Sequence, residues 1–134
     1  MLRDANMNKV AELWDQYVAM LEGIGDPVAL QGAANAMIAG GLRDPEGLFN
    51  IALWLARFGC EDRAIEILKD VVARGYCPYE TFRHNPWLDA LRGRPAFVEI
   101  EREAKERHQD ARMAFIQAGG EARLGVGSVA ASTD

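Results

Sequence analysis

Apolar residues recur along this chain at three- and four-residue steps, the spacing that lines one face of a helix. Val10, Leu13, Trp14, Tyr17, Val18 and Leu21 fall on one such face of a helix predicted over about residues 5–22, with Glu12, Asp15 and Glu22 turned to water. Asp26-Pro27 opens a second helix, because an aspartate caps the first free N–H groups and a proline at the first helical position has none to lose. Gly40-Gly41 closes it, and its alanine-rich interior lets neighbouring helices approach closely. The same opening recurs at Asp44-Pro45. There Leu48, Phe49, Ile51, Ala52, Leu53, Trp54, Leu55 and Phe58 make the helix apolar almost all round, which predicts a central, sandwiched element. Ala64, Ile65, Ile67, Leu68, Val71 and Val72 form the stripe of a fourth helix ending at Gly75. Pro86 starts a helix of about two turns that Gly93 ends, and Pro95 starts a long one predicted to run to about Ala118. Phe97, Ile100, Ala104, Ala111, Ala114 and Phe115 are its expected inner stripe. On its outer face Glu101 with Lys105 and Glu103 with Arg107 are favourable pairs worth ~0.2–0.5 kcal/mol each. No segment alternates as a strand does.

A repeat underlies the pattern. Gly25, Gly59 and Gly93 are separated by 34 residues each time, and Gly41 and Gly75 share that interval. Shifting the chain by the same amount lays Trp14, Tyr17, Val18 and Leu21 over Leu48, Ile51, Ala52 and Leu55, and Leu30 and Met37 over Ala64 and Val71. Apolar meets apolar throughout, and a glycine past a helix end permits the positive φ of a tight reversal. Thirty-four residues is the tetratricopeptide period. Leu48 to Val71 resembles one such repeat, with Leu48, Ile51, Ala52, Leu55, Ala64 and Leu68 at the family's large, large, small, aromatic, small and aromatic positions. In the first unit Val18 and Leu30 replace the small residues, which implies a wider helix pair or a related repeat. Residues 75–97 resemble the C-terminal end of tetratricopeptide regions in bacterial multidomain regulators, through Gly75, Tyr76, Pro78, Pro86, Leu88, Asp89, Leu91, Arg92, Pro95 and Phe97. Asn85 and Arg94 stand where acids are usual. Asn85 still caps, whereas Arg94 cannot accept a backbone N–H.

The resemblance covers roughly residues 44–110. It implies an all-α fold over residues 1–118: about three stacked antiparallel helix pairs in a TPR-like right-handed solenoid, closed by a long C-terminal capping helix whose polar face ends the stack. The Gly-, Ala- and Ser-rich stretch 119–134 is predicted to be a disordered tail. Regions of this kind stand at the end of longer proteins, so the chain is expected to be either a fragment of a regulator or a free-standing product.

Composition narrows the function. At 134 residues and 49% hydrophobic content the chain suffices for one domain with one core. Its 15 basic and 20 acidic residues leave a net charge of -5 with no basic block, so direct nucleic-acid binding is not expected. Cys60 and Cys77 lack CxxC spacing and the N-terminal ten residues lack the apolar core of a signal peptide, which predicts a reducing, cytoplasmic setting. The longest apolar run, 51–56, is far short of the ~18–20 residues that cross a bilayer. His84 and His108 with the two cysteines lack metal-ligand spacing, and Glu99, Glu101, Glu103 and Glu106 alternate with Arg102, Lys105 and Arg107 as a solvated helix face does. The glycines of 119–127 follow no strand, as a phosphate loop would; Trp14, Trp54 and Trp87 could line a ligand pocket, but helical tryptophans in a small domain are mostly core, which is where they are expected. No nucleophile, base and orienting partner can be assembled, so no enzyme, cofactor or metal is expected.

What remains is a protein-interaction module for a peptide or a neighbouring domain. The resemblance places the groove on first helices, at Glu46, Phe49, Asn50, Leu53 and Arg57. Phe49 and Leu53 would hold apolar side chains there, and Asn50 and Arg57 a carboxylate or backbone amide. The alternative for Phe49 and Leu53 is burial against the first two helices. Two other functional readings stand beside this one: a homodimer closed over an apolar face containing Phe115 and Ile116, and a bundle binding a small apolar or cyclic ligand.

Overall fold

The computed structural model describes residues 2–119, with side chains from residue 7 onward, and every regular element among them is helical. In chain order these are α1 (Leu2–Leu21), α2 (Pro27–Ala39), α3 (Pro45–Arg57), α4 (Glu61–Ala73), α5 (Tyr79–His84), a 3₁₀ helix (Pro86–Leu91) and α6 (Pro95–Gln117). The stretch 120–134, most of the expected tail, lies outside the described residues.

The capping residues act where the sequence places them. The Asp26 carboxylate accepts from the Val28 N–H at 3.0 Å, and that of Asp44 from the Gly47 N–H at 3.1 Å, each relieving an N-terminal donor without an intrahelical partner. At the other end, α1 to α4 all finish in the same hydrogen-bonded wrap. After α3, for example, Gly59 N–H donates to Ala56 O and Cys60 N–H to Leu55 O, with Gly59 at φ +87°. The equivalent residues are Gly23, Gly41 and Gly75. Of the three glycines spaced by 34 residues, therefore, only Gly59 takes positive φ. Gly25 is needed for a different reason: a Cβ there would stand 2.6 Å from the Met20 backbone nitrogen. Gly93 meets neither constraint.

α3 is central, with Leu48, Phe49, Ile51, Ala52, Leu53, Leu55 and Ala56 buried, and α4 covers it with Ala64, Ile65, Ile67, Leu68, Val71 and Val72. From α2 come Leu30, Ala33 and Ala34. Contacts between alternate helices rise together along the chain. Trp14 meets Trp54 and Tyr17 meets Phe58. Likewise the Cys60 thiol donates to Pro27 O, Arg63 Nε to Asn35 Oδ1 and Arg74 to Arg43 O. Thus α1 runs in the direction of α3, and α2 in that of α4.

Two expectations need correction, and one element comes in addition. First, only Leu13 and Tyr17 of the α1 stripe are buried, while Val10, Trp14 and Leu21 are 51%, 54% and 47% exposed. α1 is the outermost helix of the row, so its apolar face is wider than its contact. Second, α6 buries Phe97, Ile100 and Ala104 and nothing beyond, leaving Ala111, Ala114 and Phe115 exposed. Its 23 residues extend ~35 Å against ~20 Å for the 13 of α4, so its second half outruns its support. The additional element is α5, which no periodic pattern marks. Phe82 drives it, fully buried with ring centroids 5.5 Å from Phe49 and 6.0 Å from Phe97.

The helix stops because Pro86 holds Asn85 extended (φ -69°, ψ 118°), and Asn85 then caps the 3₁₀ helix by accepting from Trp87 N–H at 2.8 Å. Arg92 closes the junction. Its guanidinium donates to Phe82 O and Asn85 O, and pairs with Asp89 at 2.9 Å. Leu88 and Leu91 are fully buried beside it. Arg94, which cannot cap α6, ties the start of that helix to Asp62 and Glu61 at the start of α4.

Candidate interaction surface

α1, α3 and the 3₁₀ helix share an aromatic strip. The Tyr17 ring lies nearly parallel to Trp54, centroids 4.2 Å apart and planes at 14°, with Phe58 edge-on at 5.8 Å. Trp14 meets the edge of Trp54 at 6.1 Å. Arg57 Nη1 donates to Tyr17 Oη at 3.3 Å, and the guanidinium sits 4.7 Å over the Trp87 ring and 5.1 Å from that of Phe58. Such ring pairs add about 0.5–1.5 kcal/mol beyond their buried area, and an exposed cation on a ring about 0.5–1 kcal/mol. The strip is therefore held in one arrangement before any partner arrives.

Beside it runs an apolar groove of about 230 Å³, walled by Val10, Leu13, Trp14, Met37, Leu42, Ile51 and Trp54, with Gly47 and Asn50 at its margin. It is smaller than the roughly 300–1,000 Å³ of typical small-molecule sites and has the scale of one or two side chains. A second hollow of about 360 Å³ adjoins it, sharing Val10, Met37 and Leu42 and adding Lys9, Gly40, Gly41, Arg43 and Asp44.

Of the residues predicted for a groove, Glu46, Asn50 and Arg57 are exposed, and Asn50 and Arg57 border the surface just described. Phe49 and Leu53 are 4% and 7% exposed and belong to the core. Phe49 packs toward the C-terminal half, between Tyr76 at 5.7 Å and Phe82 at 5.5 Å. Val10, Trp14, Trp54 and Trp87 complete this surface, and none of them is among the groove residues that the resemblance implies. Of the tryptophans, Trp14 is more than half exposed, whereas Trp54 and Trp87 are partly buried and pack against the core as expected. A signal was present, since Val10 and Trp14 stand four residues apart on the outermost helix.

Elsewhere the polar chemistry is local. Burial pushes the Cys60 thiol above its ordinary pKa, helped by Asp26. Burial does the same at Cys77, where Arg107 works against the rise and Glu103 with it. Both thiols are thus protonated at neutral pH and weak nucleophiles. His84 pairs with Glu80 at 3.3 Å, while His108 lies against the Tyr79 ring. On α6, Arg102 pairs with Glu99 and Glu106, and Arg107 with Glu103; the expected Glu101–Lys105 pair is not among the ion pairs of the described residues. Among those residues no three His, Cys, Asp or Glu side chains gather to hold a metal, and no helix is long and apolar enough to cross a membrane. No protein-family model matches the chain, and neither a curated protein nor a solved structure matches it.

Proposed function

We propose that this chain is a non-catalytic docking module, a TPR-like stack of three helical hairpins that receives a peptide or a neighbouring domain on the face shared by α1, α3 and the 3₁₀ helix. The stacking is supported by the parallel run of alternate helices and by the recurrent glycine wraps. One observation carries the function: an open apolar groove whose wall holds a half-exposed tryptophan, Trp14, that belongs to an ordered aromatic strip. Exposed apolar side chains grouped around a concavity mark interaction sites more than scattered ones do. The test is to select peptides from a displayed random library on the folded chain and map them by amide chemical-shift changes. Perturbation centred on residues 10–17, 47–58 and 87, and lost in Trp14→Ser, is the expected result. A library that yields no binder, or shifts gathered elsewhere, refutes it.

A second reading, self-association, draws on the unsupported end of α6, where Met113, Phe115 and Ile116 are exposed. Sedimentation across a hundredfold concentration range decides it: a constant monomer mass rejects it.

A further inference from the structure

Six arginines of the described residues, Arg63, Arg74, Arg92, Arg94, Arg102 and Arg107, are ion-paired with carboxylates of the same chain. Arg57 is exposed, and no carboxylate of the described residues lies within ion-pair distance of it. Its guanidinium is nonetheless held, by Tyr17 Oη on one nitrogen and the rings of Trp87 and Phe58. A stacked guanidinium keeps its in-plane N–H edge free, and that edge matches the two oxygens of a carboxylate. Holding it beforehand removes much of the ordering cost a partner would otherwise bear.

The groove is close by. Trp54 forms its wall and stacks on Tyr17, whose hydroxyl meets Arg57. One tyrosine ring therefore separates a wall of the apolar groove from the cation, a short gap that an extended chain crosses in about two to three residues at roughly 3.3 Å each.

Resting on the docking reading above, we propose that this face recognises an extended peptide segment of a partner protein by two points: a leucine- or phenylalanine-sized side chain in the groove, and a single carboxylate two or three residues away on Arg57. The net charge of -5 disfavours a run of acids, so one well-placed carboxylate is selected over an acidic tract.

Heptapeptides enriched on the full chain from a random display library should carry one large apolar residue and one Asp or Glu at that spacing. The best peptide and its amide counterpart (Glu→Gln or Asp→Asn) are then titrated calorimetrically against the native chain and Arg57→Gln. Removing the acid should weaken binding about ten- to a hundredfold on the native chain and less than about twofold on the variant. Enriched peptides without the acid, or an equal loss on both chains, overturn the proposal while leaving the docking function standing. Failure to enrich any peptide removes both. Octanoate bound on this face with no peptide enriched assigns it to a free carboxylic acid and likewise overturns the proposal. Should Arg57→Gln melt early, the same comparison is made on Tyr17→Phe, which frees the guanidinium. A smaller loss on removing the acid than in the native chain is expected there, and an unchanged loss overturns the proposal.

Discussion

Replacing each of Gly25, Gly59 and Gly93 by alanine separates what equal spacing makes look equivalent. At Gly59, with φ +87° and open space around a new Cβ, the cost is purely conformational. An L-residue in that region loses about 1–2 kcal/mol, and the reduced freedom of the unfolded chain returns about 0.4–1 kcal/mol. The net loss is roughly 0–1.6 kcal/mol. At Gly25 the backbone conformation is ordinary, but the Cβ would stand 2.6 Å from Met20 N and 2.9 Å from Ala19 C. Main-chain atoms at a helix end cannot yield as a side-chain tip would, and overpacking of this kind costs about 1–3 kcal/mol. Gly93 has neither positive φ nor a neighbour within 4 Å, so alanine there should stabilise by up to about 0.4–1 kcal/mol. For a domain of this size 1 kcal/mol corresponds to roughly 3–6 °C in Tm. Thermal unfolding followed by far-UV circular dichroism should thus rank the variants Gly93→Ala above native, then Gly59→Ala, then Gly25→Ala. A common loss in all three, or a Gly93→Ala variant that melts several degrees early, refutes the reasoning.

Three further outcomes follow from the packing. Arg92→Met should cost about 1–3 kcal/mol by stripping Phe82 O and Asn85 O of a charged donor, whereas Asp89→Asn, an exposed partner, should cost under about 0.5 kcal/mol; urea titrations compare them. Phe49→Ala should lose about 3–5 kcal/mol and Asn50→Ala less than about 0.5 kcal/mol in the same assay, since the first empties a site between Tyr76 and Phe82 and the second borders solvent. Cys60 and Cys77 should react with iodoacetamide more slowly in the native chain than in urea at mildly alkaline pH, because their folded pKa values are raised. The sign for stability follows: their contribution is whole below the ordinary thiol value and is lost as pH rises through the raised folded one. The urea midpoint should therefore fall on going alkaline, and less so in the double Cys→Ala variant.

The candidate surface was half legible. Asn50 and Arg57 come from the resemblance, which places a groove on first helices, and as polar residues of an otherwise apolar helix both do stand exposed. Phe49 and Leu53 were ambiguous, since an apolar residue suits a groove and a core equally. Arg57 as a held cation was invisible, because Tyr17 and Trp87, 40 and 30 residues away along the chain, fix it through rings. α5 escaped notice because six residues are too few for a periodic pattern to emerge.

By itself the sequence determined the local elements: where helices start at Asp26 and Asp44, where wraps after Gly41, Gly59 and Gly75 end them, and that α3 is buried nearly all round. These are set by capping groups, positive φ and periodicity within a few residues of one another. Only tertiary structure decided which part of each stripe has a neighbour. Trp14 and Phe115 lie on faces patterned like buried ones, yet one sits on the outermost helix and the other beyond the end of its support. An apolar side chain records a tendency to leave water, and whether it does depends on whether another helix lies opposite.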